Sequence, residues 1–298
     1  MPHSMFSFVF VACLAAPGVA LAEDSAGETS PPPAPPAAPH VEPPPARPMM
    51  RVNLPVDLTV TGVGAVAWVT SEILKSRIAP ATCRWCSPSG LDDSVAQTLR
   101  WDNRKTAATI SDVGLFAVAP LAAFGGSAAI VFTSGGTASE WGTDALVILE
   151  SLVVAADLTQ IVKFAAARER PLLHYGVADA EERENRDNNL SFFSGHASST
   201  FALAVSSGTV ATLKGYRAAP WIWAGGLAIA ATTGYLRIAA DKHYFSDVLV
   251  GAVVGSASGF LVPWLHRPRT EEGPRLSGMM ASPLPGGGAL VGFNGRLD

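Results

Sequence analysis

Eight residues in three separated stretches have the types and spacing that chemistry would need. The first stretch runs from Arg237 through Asp241-Lys242-His243-Tyr244-Phe245-Ser246-Asp247. His243 and Asp247 are four residues apart, the interval that stacks two side chains on one face of a helix. A carboxylate one turn from a histidine can hold one ring nitrogen and leave the other free as a nucleophile. Taken alone, the pair is equally a structural His–Asp contact at a helix start. Gly251, Gly255 and Gly259 continue the same face at intervals of four. Such a stripe lets a second helix come close, so His243 and Asp247 are expected to point into a tight bundle, with the Arg237 cation at its mouth.

The second stretch is Lys163 to Arg170-Pro171. Its two cations are seven apart, on one face of a helix that Pro171 stops. Two such residues can also simply mark a membrane border, where long cationic side chains reach for water. The third stretch is Ser191-Phe192-Phe193-Ser194-Gly195-His196. Ser194 is a good N-cap, Gly195 permits close backbone approach, and a helix N-terminus presents free N–H groups to an anion. His196 is placed to give a proton to whatever leaves. Capping alone would explain the third stretch. Together, however, the three ask for one substrate. Lys163, Arg170 and Arg237 supply positive charge, and Ser194 with the Gly195 and His196 N–H groups supplies donors. Two histidines divide the nucleophile and acid roles, and Asp247 orients one of them. Phosphoryl transfer through a covalent intermediate requires such a set.

The set resembles the type 2 phosphatidic acid phosphatase superfamily, which includes bacterial class A acid phosphatases and vanadium haloperoxidases. The family pattern is K-x6-R-P, then P-S-G-H, then S-R-x5-H-x3-D. Lys163 to Arg170-Pro171 completes the first. The second has Phe193 in place of Pro, and the third has Leu236 in place of Ser. The resemblance covers about residues 143–265. It implies that His243 becomes a phosphohistidine and that Asp247 orients it. It implies that His196 protonates the leaving oxygen and later activates water, while Lys163, Arg170, Ser194, Gly195 and Arg237 hold the phosphate. No metal and no cofactor are implied.

These residues need elements to position them. Charged residues are 15% of the 298-residue chain and hydrophobic ones 48%, against roughly 25% charged in ordinary soluble domains. Net charge is −4 and no basic stripe is present, which argues against a nucleic-acid partner. Residues 1–22 read as a signal peptide ending in Ala20-Leu21-Ala22. Residues 23–50 hold ten of the 23 prolines and form a semi-rigid tether. Residues 51–109 are expected to hold N-terminal helices and a Cys83–Cys86 loop closed by a disulfide. Residues 110–265 form the helical phosphatase core. A Gly/Pro-rich tail, 266–298, carries a possible hairpin at 279–293. The expected fold is all-α, a membrane-embedded bundle of about five to six apolar helices.

Asp144, Glu150, Asp157, Gln160 and Lys163 in an otherwise apolar helix should face a partner or a wet cavity. The charge run Glu181–Asp187 reads as solvated surface, or the rim of a site. The apolar core of 54–78 is short for a span. With that segment along the surface, five segments span, and the site faces the periplasm of a bacterial inner membrane. Lys214, Arg217, Arg267 and Arg269 then lie inside. The expected activity is metal-independent hydrolysis of a lipid phosphate or pyrophosphate. A soluble periplasmic acid phosphatase, a vanadate-dependent haloperoxidase and a silent lipid-binding membrane protein are the alternatives.

Overall fold

Apolar runs punctuated by glycine, proline and polar caps become ten α-helices among the described residues, which in the computed structural model are 48–268, 279–283 and 289–293. The expected leader and most of the proline tether lie outside them. In chain order the helices are α1 (Leu54–Ile78), α2 (Gly90–Leu99), α3 (Arg104–Val113), α4 (Gly126–Thr133), α5 (Ala138–Ala166), α6 (Pro171–His174), α7 (Ala180–Glu184), α8 (Gly195–Leu213), α9 (Ala219–Ala239) and α10 (Phe245–Leu265). Two π-helical stretches, Gly114–Val118 and Leu121–Gly125, join α3 to α4 as one continuous rod, Arg104–Thr133. That rod starts six residues before the expected apolar segment, because the Asn103 side chain caps it by accepting from Thr106 N. Strands β1 (Met279–Pro283) and β2 (Ala289–Phe293) pair antiparallel, Met279 opposite Phe293, as the expected hairpin requires.

Helix α8 is the hub, packed against α5, α9 and α10. The glycine stripe explains how. A Cβ on Gly251 would sit 2.6 Å from the Ser194 carbonyl, and one on Gly259 would sit 2.7 Å from the Ala202 carbonyl. At Gly255 the clash would be with the Ser198 carbonyl. The α10 backbone therefore lies directly on α8. Polar residues of α5 find partners: Lys214 Nζ is 2.7 Å from both Glu140 and Asp144, and Gln160 donates to Glu72.

The rod, α1, α5 and α10 are each long and apolar enough to cross a membrane. Their outward faces carry Val63, Ile73, Phe116, Leu121, Val253 and Leu265, all exposed, and Trp221 at the start of α9 is 80% exposed. Apolar surface of that extent marks contact with lipid rather than water. The five-span arrangement laid residues 54–78 along the surface, but α1 packs against α5 instead. Gly64 lets α1 run lengthwise along α5 against Val153 and Asp157, and its last turns reach Gln160 and Asp187 through Glu72 and Lys75. Six long segments therefore run side by side.

Candidate active site

The three motif segments meet at one end of the bundle around a cavity of about 510 Å³. Lys163, Arg170, Gly195, His196, Arg237 and His243 all line it. Lys163, Arg170, Arg237 and His243 are buried. Arg170 Nε and Arg237 Nε are buried without a hydrogen-bond partner, so two guanidinium donors stand unanswered at the cavity wall. Ser194 does not line it. Its hydroxyl caps α8, accepting from Ala197 N at 3.4 Å, and its backbone N–H donates to the Asp247 carbonyl at 3.0 Å. That leaves the Gly195 and His196 N–H groups of the first turn without intrahelical acceptors. The Lys163 amine lies over this first turn: a Cβ on Gly195 would be 3.7 Å from Lys163 Nζ, an ordinary contact.

Two expectations about local geometry are corrected. Lys163 and Arg170 do not share a helix face. Ala167 adopts a left-handed conformation (φ 45°) that ends α5, and from Arg168, bridged to Trp85, the chain runs on to an extended Arg170. Arg170 reaches the cavity from that extended position. Nor do His243 and Asp247 stand on one helix, since α10 begins at Phe245. Asp247 Oδ2 turns back to accept from Tyr244 N at 2.9 Å, and it lies 3.6 Å from His243 Nδ1, beyond hydrogen-bond range. His243 Nδ1 instead donates to the Ser191 carbonyl at 2.8 Å. Asp247 acts one step removed, accepting from Ser191 Oγ at 2.6 Å. With Nδ1 committed, Nε2 is the free ring nitrogen. Burial first, then the charges of Arg237, Arg170 and Lys163, hold the His243 imidazole well below its usual range.

The structure adds residues that the motifs did not mark. Arg168 is fully buried, donating to Asp247 Oδ1 at 2.5 Å and to Asp92 Oδ2 at 2.7 Å. Its guanidinium lies 3.9 Å from the Trp85 ring centroid and 4.2 Å from that of Tyr244. Trp85 is presented by the Cys83–Cys86 disulfide loop, which is formed as expected. Nothing in the spacing distinguished Arg168 from its neighbours, because its partners come from α2 and α10. Asp112 had a signal, as the lone charge in a long apolar segment. Its Oδ1 lies 2.7 Å from His196 Nε2 and 3.1 Å from Arg237 Nη1.

The charge run is a wall of the site rather than plain solvated surface. Arg170 Nη2 donates to Asp187 Oδ2 at 2.8 Å, and Lys242 Nζ to Glu182 at 2.9 Å. Burial pushes the Asp187 carboxyl up, but Arg170, Lys163, Lys75 and Arg237 outweigh it and hold the group at about 2. Two carboxylates, Asp112 and Asp187, thus pair with cations that an anionic substrate would also attract.

Comparison with known proteins bears on the same segments. Residues 144–271 match the PAP2 superfamily model. The lipid A 1-phosphatase of Porphyromonas gingivalis is 39% identical over 75 residues, 25% of this chain and 16% of that protein. Phospholipid phosphatase 1 of Rattus norvegicus is 30% identical over 128 residues, 35% of this chain and 45% of that one. The chain thus spans less than half the length of these two relatives. A crystal structure of a transmembrane PAP2 type phosphatidylglycerolphosphate phosphatase from Bacillus subtilis aligns with a TM-score of 0.45 at 16% identity, covering 70% of this chain and 94% of that one. The matched window contains all three motif segments whose side chains line the cavity, and over residues 144–271 the chain is similar to the PAP2 superfamily.

Proposed function

We propose that this chain is a membrane phosphatase that hydrolyses lipid phosphates or pyrophosphates through a phosphohistidine at His243, without a catalytic metal. His243 Nε2 attacks phosphorus; the P–N bond forms as the P–O bond to the leaving group breaks. His196 protonates the departing oxygen. It then takes a proton from water, whose oxygen attacks phosphorus and breaks the P–N bond, releasing phosphate. Lys163, Arg170, Arg237 and the first-turn N–H groups of α8 hold the phosphoryl oxygens, and they concentrate positive charge where it develops in the transition state. Asp247 and Ser191 position the nucleophile, and Asp112 positions His196. Residues 110–265 form the catalytic core, and α1 adds one wall.

The observation that carries this reading is the convergence of three distant segments on one buried cationic cavity with two histidines. Exposed apolar faces on the surrounding helices favour a substrate that arrives from lipid. The Cys83–Cys86 disulfide sits at the catalytic end, which favours placing that end on the oxidising, periplasmic side of a bacterial inner membrane.

Phosphate release from a panel of lipid and soluble phosphates, measured with chelator present, tests the proposal. Parent enzyme should turn over lipid phosphates. His243→Ala should fall on the order of 10⁵-fold or more, as loss of a nucleophile does. Equal rates for the two would sink the assignment, and restoration by added Mg²⁺ after chelation would point to another mechanism.

A further inference from the structure

Outside the catalytic cavity, three side chains from three helices bring ligand-type atoms together: Asp57 in the first turn of α1, Glu150 midway along α5 and His266 at the C-cap of α10. His266 Nδ1 lies 2.9 Å from the Val262 carbonyl. A carbonyl only accepts, so Nδ1 carries the proton of that bond. Nε2 then faces Asp57 Oδ2 at 3.5 Å and Glu150 Oε2 at 3.6 Å, and the three atoms lie within 4.8 Å of one another.

Neither gap is a hydrogen bond. A protonated Nε2 would close on one carboxylate to about 2.8 Å, whereas here the two separations are almost equal. Glu150 Oε2 is buried without a hydrogen-bond partner. Asp57 Oδ2 is held in place by Asn53 N at 2.7 Å. Metal–ligand bonds of about 2.0–2.2 Å set neighbouring ligand atoms roughly 3–3.5 Å apart, close to the two spacings from His266 Nε2. Two carboxylates match the charge of a divalent ion. An imidazole whose other nitrogen bonds a backbone carbonyl has the outer-shell support typical of a metal ligand.

We propose that Asp57, Glu150 and His266 form a structural site for a divalent transition metal, zinc being the best match to one nitrogen and two carboxylate oxygens. The site has a task. Along α1 the buried residues are Asp57 and Thr61, and just before it Met50 packs in the core and Arg51 N donates to the His266 carbonyl at 2.8 Å, so the ion would reinforce an existing anchor at the start of that helix. A shared ion would pin it to α5 and α10. None of the three residues lines the catalytic cavity, so removing the ion should loosen the fold without stopping turnover.

The test uses the full chain in detergent, purified without a histidine tag and stripped with chelator. Zn²⁺ titration by calorimetry, metal content by mass spectrometry and thermal unfolding are the readouts. One zinc per chain should bind and raise Tm by several degrees. Asp57→Asn and His266→Ala should each weaken binding by about 100-fold and abolish the Tm rise, while still hydrolysing lipid phosphate at the parent rate. The nearly isosteric Asp57→Asn reads binding even if His266→Ala folds poorly. No Tm response in the parent would overturn the site as a mere ion pair. Unchanged stoichiometry and affinity in both variants would overturn it as zinc held elsewhere.

Discussion

His243 has one nitrogen committed to the Ser191 carbonyl and the other free, and burial first, then the surrounding cations, hold its pKa well below the ordinary imidazole range. A folded-state pKa below the ordinary value near 6.5 means that the ring stays unprotonated as pH falls through the usual imidazole range. Histidine ring resonances should therefore show His243 neutral at pH 6, while an exposed histidine such as a C-terminal tag titrates. A His243 midpoint at or above about 6.5 would contradict the environment described. In the proposed mechanism His196 protonates the leaving oxygen. His196→Ala should cost roughly 10²–10⁴-fold, and the loss should be largest for alkyl leaving groups. A p-nitrophenyl ester, which departs without a proton, should lose least. An equal loss for both substrates would remove the acid role. Arg168 was the residue that sequence could not single out. It sits two positions from a motif arginine, and its importance comes from two buried carboxylates on other helices.

Helices α8 and α10 are in backbone contact, and the reason lies in three glycines spaced by four. Their interval was legible before any coordinates, since the α-helix period puts i and i+4 on one face. What they touch was not. Gly255 lies over the Ser198 carbonyl, so an added side chain has nowhere to go. Gly255→Leu should therefore destabilise the bundle by at least about 1–3 kcal/mol through overpacking, read as a lower Tm in detergent with activity falling alongside. Gly62 on α1 has open space around it and is the control; Gly62→Ala should leave Tm near the parent value. If Gly255→Leu is equally silent, the packing described is wrong. The helix ends behaved differently from the helix bodies. Periodicity carried Lys163 and Arg170 onto one face, but a left-handed Ala167 broke the register, and from Arg168, bridged to Trp85, the chain runs on to an extended Arg170.

Among the described residues the long helices bury polar residues such as Asp144, Lys163 and Arg237 within an apolar core, and leave many further aliphatic and aromatic side chains facing outward. Purified protein should partition into the detergent phase on Triton X-114 clouding; recovery in the aqueous phase would favour the soluble alternative. Composition, the three spaced motifs and the glycine stripe were enough to establish an apolar helical bundle and which residues would gather. Those signals are local: they rest on helix periodicity, capping chemistry and the scarcity of charge. The path by which His243 is held, the entry of Asp112, Arg168 and Asp187 into the site, and the lengthwise seat of α1 on α5 were decided only by tertiary structure. Each depends on partners more than twenty residues away or on the chain leaving helical geometry, and no repeat in a single sequence records either.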